Sequence, residues 1–432
     1  MSGQRLEIEG GHPISGKIRP SGNKNAALPL IAACLLTEDE VVLHNVPRIR
    51  DVGALLELIA GLGVTVTHRD SSTVVLKASA LGSQEPDFKL AKQIRASILL
   101  AGPLLARRGR VNLPPPGGDV IGRRRIDTHV LGLEALGAKF HATPETFSFS
   151  VDKRLVGAEI FLDEASVTGT ENVLMAASLA DGRTTIMNAA SEPHIQELCH
   201  LINAMGGKIN GVGTNTLVVD GVTRLHGAEH TLGPDYIEVG SLMVLAAVTG
   251  GELLLQGARM QDHRATKIAF GRLGLRFEGV NGGEDILVRG GQEMKVQHEI
   301  GGAIPKVEDA PWPGFPADLT SIAVVAATQA EGTVLVHEKM FESRLFFVDR
   351  LQSMGARVVL CDPHRVVVSG KSRLWGQELV SPDIRAGMAL VIAALCAEGK
   401  SVIHNVQQID RGYERIDERL IALGARIKRK AD

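Results

Sequence analysis

The sequence has no excess of either charge. Its 432 residues include 47 lysines and arginines against 49 aspartates and glutamates, a formal net charge of −2. A protein that binds nucleic acid or an anionic membrane through its overall charge needs a clear positive balance. We therefore expect no nucleic-acid partner and no membrane partner.

Cysteine is scarce and hydrophobic runs are short. The four cysteines, Cys34, Cys199, Cys361 and Cys396, are far apart and form no Cys-x-x-Cys pair. This spacing favours a reducing compartment over a disulfide framework. No apolar run approaches the roughly 18 to 20 residues of a membrane helix, and the first ten residues contain no apolar core of a secretion signal. We expect a soluble, cytoplasmic protein.

Several common catalytic motifs are also missing. The sequence contains neither HExxH nor GxSxG, so zinc catalysis and a serine nucleophile have no support. GHPISGKI at residues 11–18 has the glycine spacing of a P-loop, but Ile18 replaces the Ser or Thr that would hold magnesium. Cys361-Asp362-Pro363-His364 resembles half of a metal site, but Asp-Pro between two β-branched runs predicts a hairpin turn. We expect no metal ion and no cofactor.

What the sequence does contain is a repeat. The pattern apolar-Gly-small-x-apolar follows a helix-like segment six times, at residues 62–66, 136–140, 205–209, 273–277, 354–358 and 423–427. An Ala-rich apolar stretch followed by a polar turn and a β-branched run also occurs six times. Glycine supplies the left-handed residue that ends a helix, and the run after it becomes a strand. Because one core rarely serves a chain this long, we predict an α/β (α+β) fold of six units in two domains of three.

Basic residues recur at predicted helix starts. Lys24 opens an apolar helix, where a cation is unfavourable unless an anion joins it. Arginines hold similar positions at Arg95, Arg124, Arg344, Arg385 and Arg411. The pattern is consistent with a ligand that carries several phosphates or carboxylates. Solvated cations on helix surfaces are the alternative interpretation.

Two acids stand in unusual surroundings. Asp119 follows three prolines and two glycines and precedes three arginines, which predicts a lid over an anion at about residues 111–125. Asp318 follows a Pro-rich turn and begins an apolar helix. Helix capping is the alternative role for Asp318.

Eight motifs in order carry a family resemblance. They are SGNKNAAL, IRAS, PGGDVIGRRRIDTH, SVTGTEN, PGFPADL, FESR, PDIRAG and IDRGYERI. The resemblance that they carry runs from about residue 6 to residue 428. In this combination the sequence resembles the UDP-N-acetylglucosamine enolpyruvyl transferases. The resemblance implies the enolpyruvyl transferase fold, an inside-out α/β barrel with two domains of three βαβαββ-type repeats. One domain would be continuous, residues 24–233, and the other would combine residues 1–23 with 234–432.

The resemblance also implies a reaction and roles. The enolpyruvyl group of phosphoenolpyruvate would pass to the 3-hydroxyl of UDP-N-acetylglucosamine with release of phosphate, the first committed step of peptidoglycan synthesis. Asp119 would be the acid, where many relatives have a cysteine, and Asp318 would take the hydroxyl proton. Since fosfomycin acts on that cysteine, Asp119 implies insensitivity to it. The donor would be bound by Lys24, Arg124 and Arg411, with Asn25, Arg95, Arg344, Asp383 and Arg385 nearby, and the uridine diphosphate by Arg124, Arg125, Ile126, Asp127, Thr128, Ser166, Val167 and Met340.

Two alternatives to this function stay open. One is an enolpyruvyl transferase of secondary metabolism that acts on another nucleotide. The other is a non-catalytic UDP-sugar-binding protein, which would have lost the acid, the base or the phosphate-binding cations. Glu164 and Tyr236 also depart from the residues most relatives have there, which affects individual nucleotide contacts.

Overall fold

The computed structural model describes residues 3–82, 85–118, 121–122 and 125–431. These residues form two compact units, each with its own buried apolar core. The first unit comprises residues 3–21, 121–122 and 234–431, and the second comprises residues 22–82, 85–118 and 125–233. Asp119 and Arg124 lie outside the described residues. No described helix has the length and hydrophobicity needed to cross a membrane.

The helices are numbered in chain order. The α-helices are α1 (Lys24–Ala33), α2 (Arg50–Ala60), α3 (Phe88–Ala91), α4 (Ala101–Arg108), α5 (Asp127–Ala135), α6 (Val167–Ala177), α7 (Pro193–Ala204), α8 (Tyr236–Thr249), α9 (Arg264–Arg272), α10 (Thr320–Gln329), α11 (Val348–Ser353), α12 (Ile384–Cys396) and α13 (Ile416–Ile421). Short 3-10 helices cover Cys34–Leu36, Arg95–Leu100, Met260–His263, Asn281–Gly283, Ile300–Gly302, Ala317–Leu319, Arg344–Phe347 and Val406–Arg411.

The strands are numbered in the same way. They are β1 (Gln4–Glu9), β2 (Gly16–Ile18), β3 (Glu40–His44), β4 (Thr65–His68), β5 (Val74–Lys77), β6 (Arg110–Leu113), β7 (Lys139–Ala142), β8 (Phe147–Ser150), β9 (Glu159–Phe161), β10 (Arg183–Met187), β11 (Ile209–Asn210), β12 (Thr216–Asp220), β13 (Ala228–Thr231), β14 (Leu253–Leu255), β15 (Glu278–Val280), β16 (Asp285–Val288), β17 (Lys306–Glu308), β18 (Gly332–His337), β19 (Val358–Asp362), β20 (Arg365–Gly370), β21 (Glu378–Val380), β22 (Lys400–His404) and β23 (Arg426–Ala431).

The predicted six-fold repeat is confirmed by the backbone. The glycine of each repeated motif has a positive φ between 78° and 101° and lies just after a helix: Gly63, Gly137, Gly206, Gly274, Gly355 and Gly424. A side chain at these φ values would clash with its own backbone, so glycine ends each helix at low cost. The strand that follows each glycine is an edge strand of its sheet in every repeat.

The described strands form six sheets, three in each unit, and five of them share one topology. Each of these five has an edge strand parallel to its neighbour, followed by two antiparallel pairings, as in the order β17-β18-β20-β19. In the second unit β13, the last strand of this unit, pairs with β3, its first strand. The end of the second unit is thereby joined to its beginning.

One helix of every repeat is buried on nearly all sides. In the first unit these inner helices are α8, α10 and α12, which pack on one another. In the second unit they are α1, α6 and the segment formed by Arg95–Leu100 and α4. Helices that are apolar all round must be covered all round, whereas the strands alternate between buried and exposed residues. The helices therefore lie inside each unit and the sheets outside.

Two local predictions can be compared with the structure. Asp362 ends β19 and Arg365 begins β20, and the two strands pair antiparallel, so Pro363 and His364 form the predicted hairpin turn. The predicted lid boundary at residue 111 was wrong, because Val111 to Leu113 belong to β6 and pair with β8. The loop therefore starts at Pro114.

Candidate functional site

The predicted site residues cluster at the starts of the inner helices. In the second unit Lys24 and Asn25 begin α1, Arg95 begins a 3-10 helix, and Ser166 and Val167 begin α6. In the first unit Asp318 precedes α10, and Asp383 and Arg385 begin α12. Because the repeats share one topology, the start of the inner helix has the same place in each repeat. Several repeats therefore contribute a candidate residue from this position.

Lys24 is held by a buried ion pair. Its Nζ lies 2.9 Å from Oδ2 of Asp51, and the two side chains are only 9% and 7% exposed. Asp51 stands in the first turn of α2, which packs on α1. Asn23 caps α1 by accepting hydrogen bonds from the backbone N–H groups of Asn25 and Ala26. The expectation that Lys24 needs the anion of a ligand was wrong, because the carboxylate of Asp51 supplies a negative charge.

The Lys24–Asp51 pair permits a test that separates stability from binding. Breaking a buried pair leaves one charge uncompensated and costs about 3 to 5 kcal/mol, whereas replacing both partners with apolar residues is often neutral. We expect Lys24→Met and Asp51→Leu to lower the free energy of unfolding, measured with urea. The double variant Lys24→Met/Asp51→Leu should regain that stability without regaining phosphate release. A double variant with normal phosphate release would remove Lys24 from substrate binding.

Side chains around the start of α5 tie this helix to the inner helices. Arg95 Nη2 donates to the carbonyl of Arg125 over 3.1 Å, and Arg125 Nη2 donates to Oδ1 of Asp127 over 2.6 Å. Thr128 Oγ1 donates to Oδ1 of Asp163 over 2.7 Å. Ile126 is half-buried immediately before α5. This segment therefore has a defined place beside Arg95.

The start of α6 lies against the same segment. Ser166 Oγ accepts the N–H of Gly169 and caps the helix. A Cβ on Gly169 would meet Cγ2 of Thr128 at 3.1 Å, so α5 and α6 approach closely here. Val167, the first residue of α6, is half-buried.

His129, within the same motif, is unsuited to proton transfer. It is 1% exposed, and its Nδ1 accepts from Nδ2 of Asn172 over 2.8 Å. That bond leaves the proton on Nε2, which lies 3.0 Å from Oγ1 of Thr168. Burial, with a smaller contribution from Arg95, lowers the pKa of His129 to about 3. The imidazole is therefore neutral at physiological pH and has a structural role.

The loop that precedes Asp119 approaches a neighbouring backbone closely. A Cβ on Gly117 would lie 1.8 Å from the carbonyl oxygen of Lys92. Only glycine fits at that distance, which explains the Gly-Gly sequence before the predicted acid.

Asp318 lies between two buried arginines in the first unit. Arg344 Nη2 donates to its Oδ1 over 3.0 Å, and Arg385 Nε donates to its Oδ2 over 3.0 Å. The carboxylate is 25% exposed, whereas the two arginine side chains are 3% and 6% exposed. Pro316 and Leu319 occupy the N-cap positions here, so the capping interpretation of Asp318 was wrong. The carboxylate has solvent access on one side and fixed cations on the other.

Both arginines are held in their charged forms. Burial is the largest influence and works to lower the pKa of each guanidinium. Asp318 and other nearby groups together outweigh it, so the pKa of each lies above its usual value. The guanidinium of Arg385 also lies 5.5 Å from the ring centroid of Tyr413. Asp383 caps α12 by accepting the N–H groups of Arg385 and Ala386.

Arg411 and Met340 have more exposed positions in this unit. Arg411 ends the 3-10 helix Val406–Arg411, and its Nη1 donates to Oε1 of Gln408 over 2.9 Å. Met340 is 41% exposed, and its N–H points to the carboxylates of Asp309 and Glu338. Sequence reasoning did not identify Asp51, Asp163, Asp309 or Glu338. The available signal was an acid directly after a strand, at Asp309 and Glu338, an acid two residues after a strand, at Asp163, and an acid in the first turn of a helix, at Asp51.

Comparison with known proteins identifies the family. A family model described as EPSP synthase (3-phosphoshikimate 1-carboxyvinyltransferase) matches residues 8–420. This chain belongs to the EPSP synthase family. As a family member it is 57% identical over 424 residues to the UDP-N-acetylglucosamine 1-carboxyvinyltransferase of Bradyrhizobium diazoefficiens, covering 98% of this chain and 97% of that protein. It is 56% identical over 423 residues to the protein of the same name from Treponema denticola, covering 98% of each. The resemblance predicted from the motifs is confirmed.

Two solved structures show the same fold. The enolpyruvyl transferase NikO from Streptomyces tendae superposes with a TM-score of 0.87 at 23% identity, covering all of both chains. An EPSP synthase from Acinetobacter baumannii gives a TM-score of 0.75 at 20% identity, covering 99% of this chain and 100% of that one. At these identities the likeness concerns the fold, and the predicted fold class is confirmed.

Proposed function

We propose that this chain transfers the enolpyruvyl group of phosphoenolpyruvate to the 3-hydroxyl of UDP-N-acetylglucosamine and releases phosphate, the first committed step of peptidoglycan synthesis. The observation that carries the proposal is the identity of 56% and 57%, over nearly the whole length, with two proteins named UDP-N-acetylglucosamine 1-carboxyvinyltransferase. The arrangement around Asp318 supports it, because this reaction needs a carboxylate with solvent access and fixed cations.

The chemistry proceeds by addition and elimination. A proton is added to the methylene carbon of phosphoenolpyruvate, and the sugar hydroxyl oxygen bonds to the adjacent carbon while losing its proton. The resulting tetrahedral adduct then loses a proton from the new methyl group and expels phosphate, which restores the double bond. An acid and a base are both required. We assign Asp119 as the acid and Asp318 as the base.

The assignment of Asp318 rests on its neighbours. A carboxylate can accept the hydroxyl proton only if it is ionised beforehand and correctly oriented. Arg344 and Arg385 each donate to a different oxygen of Asp318, which fixes the plane of the carboxylate. The carboxylate is 25% exposed, which gives the substrate hydroxyl access to it.

The remaining predicted residues are assigned to substrate binding. Charged donors suit the phosphate and carboxylate of phosphoenolpyruvate, and we assign Lys24, Arg124 and Arg411 to them, with Asn25, Arg95, Arg344, Asp383 and Arg385 nearby. We assign the uridine diphosphate to Arg124, Arg125, Ile126, Asp127, Thr128, Ser166, Val167 and Met340. No metal ion or cofactor enters this scheme.

We also propose a cytoplasmic location. All four cysteines are free thiols in the structure, including the exposed Cys361. Free thiols are typical of reducing compartments.

Phosphate release with purified protein tests the proposed function. We expect release when phosphoenolpyruvate and UDP-N-acetylglucosamine are both present, with the enolpyruvyl ether of the sugar nucleotide detected by mass spectrometry. UMP and 3-phosphoshikimate serve as alternative acceptors. Release with either of these but not with UDP-N-acetylglucosamine would assign a different acceptor. Binding of the sugar nucleotide without release would indicate a non-catalytic binding protein.

A further inference from the structure

A pair of buried carboxyl groups lies behind the Asp318–Arg344 contact. Asp309 and Glu338 are both 0% exposed. Asp309 directly follows β17 and Glu338 directly follows β18, and these strands pair in parallel with Glu308 opposite His337. Parallel strands end at the same edge of their sheet, so the two acids are adjacent by topology. Two adjacent carboxyl groups without solvent are costly unless their charge is reduced or compensated.

The pair holds one turn of backbone. Asp309 accepts the N–H groups of Lys339 and Met340. Glu338 Oε1 accepts the N–H groups of Met340 and Phe341 over 3.2 and 3.1 Å. The turn at residues 339–341 leads directly to the 3-10 helix that begins at Arg344. The carboxyl pair therefore determines where this helix starts.

Glu338 also competes with Asp318 for Arg344. Its Oε2 lies 3.5 Å from Nε of Arg344, whereas Asp318 Oδ1 lies 3.0 Å from Nη2 of the same guanidinium. Arg344 is 3% exposed, so solvent screens neither contact strongly. An ionised Glu338 would attract the guanidinium away from Asp318. When Glu338 is protonated and neutral, Asp318 is the carboxylate of the two with which Arg344 forms an ion pair.

The surroundings of Glu338 favour the protonated form. Burial raises its pKa to about 8, against the opposing effect of Arg344 and with a further increase from Asp309. The groups facing its side chain are Arg344, Asp309 and Thr320, and the ring of His364 contacts only its backbone carbonyl, through Nδ1 at 2.7 Å. At neutral pH Glu338 therefore holds a proton.

We propose that Asp309 and Glu338 are positioning residues of the transfer reaction, which fix the turn at residues 339–341 and direct the charge of Arg344 to Asp318. This inference rests on the proposed function, because it concerns the orientation of the base. It predicts that turnover decreases when Glu338 loses its proton, since the guanidinium is then divided between two carboxylates.

The pH dependence of kcat for phosphate release tests the proposal. We expect kcat of the unmodified protein to decrease above about pH 8, and Glu338→Gln, which cannot ionise, to retain most of its activity at pH 7 without this decrease. Glu338→Ala should lose up to about 10²-fold at all pH values, as misplaced catalytic groups do. Asp309→Asn should shift the decrease to lower pH, because it removes the repulsion that keeps Glu338 protonated.

Glu308→Gln, which changes a 30% exposed neighbour, is the control. Its kcat should have the same pH dependence as that of the unmodified protein.

Two results would overturn the inference. One is an unchanged alkaline decrease of kcat in Glu338→Gln. The other comes from urea unfolding, which does not depend on activity. It therefore distinguishes failure of this inference from failure of the proposed function. Because the folded state holds the Glu338 proton up to about pH 8 and the unfolded chain loses it near pH 4.5, stability should fall as pH rises between these values. If the stability of Glu338→Gln decreases equally over this pH range, Glu338 holds no such proton in the folded protein.

Discussion

Asp318→Asn is expected to lower kcat for phosphate release by about 10² to 10⁴-fold, the usual contribution of a general base. Asparagine has nearly the same shape, but it cannot accept the proton of the sugar hydroxyl. Its amide NH₂ must also face one of the two arginines that donate to the carboxylate, Arg344 or Arg385. The measurement is the initial rate of phosphate release at saturating concentrations of both substrates.

A structural loss must be separated from this chemical one. Asp318→Asn leaves two buried guanidinium groups with less compensation, so the free energy of unfolding should also decrease. Rates are therefore compared per folded protein, with the folded fraction taken from urea unfolding. Asp349→Asn changes an exposed carboxylate on α11 and should leave both quantities unchanged. A decrease of less than tenfold in folded Asp318→Asn would remove this residue from proton transfer.

Much of the fold could be predicted from the sequence because the repeat is encoded locally. A glycine such as Gly63 or Gly424 is needed wherever the chain takes a positive φ after a helix. The β-branched runs become strands for equally local reasons. The boundary of the loop before Asp119 was less accurate, since pairing between β6 and β8 depends on residues about forty positions apart.

The candidate site was only partly predictable, because most of its contacts join residues that are far apart in the sequence. Lys24 could be identified from its place at a helix start, but its partner Asp51 is brought to it by packing of α2 on α1. The same holds for Arg385, which contacts Asp318 across 67 residues of sequence. Glu338 follows an alternating strand and has the sequence context of an ordinary surface acid. Only the parallel pairing of β17 and β18 shows that Asp309 lies beside it. Local chemistry is read from sequence, whereas ion pairing between distant segments is not.

Asp119→Asn is expected to lower kcat by about 10² to 10⁴-fold, because the methylene carbon must receive a proton and an amide cannot supply it. The residue lies outside the described part of the chain, and its assignment rests on the chemistry and on what the family resemblance implies for this position. A free aspartate has a pKa near 3.9 and would be a poor donor at neutral pH. The assignment therefore requires that the bound substrates and the surroundings of Asp119 raise its pKa.

Replacing Asp119 with cysteine, the residue that the resemblance implies for many relatives, gives the matched variant. Asp119→Cys should retain most of the turnover, since a thiol can also donate a proton, and it should become sensitive to fosfomycin and to iodoacetamide. Of the native thiols, Cys34 and Cys199 are buried, and burial raises the pKa of Cys199 and of Cys396 to about 12, so these react slowly. Cys361 is exposed, so the comparison is made in a Cys361→Ser background. Inactivation of Asp119→Cys but not of the parent would place residue 119 at the reacting centre, whereas near-normal turnover of Asp119→Asn would show that the proton comes from another group.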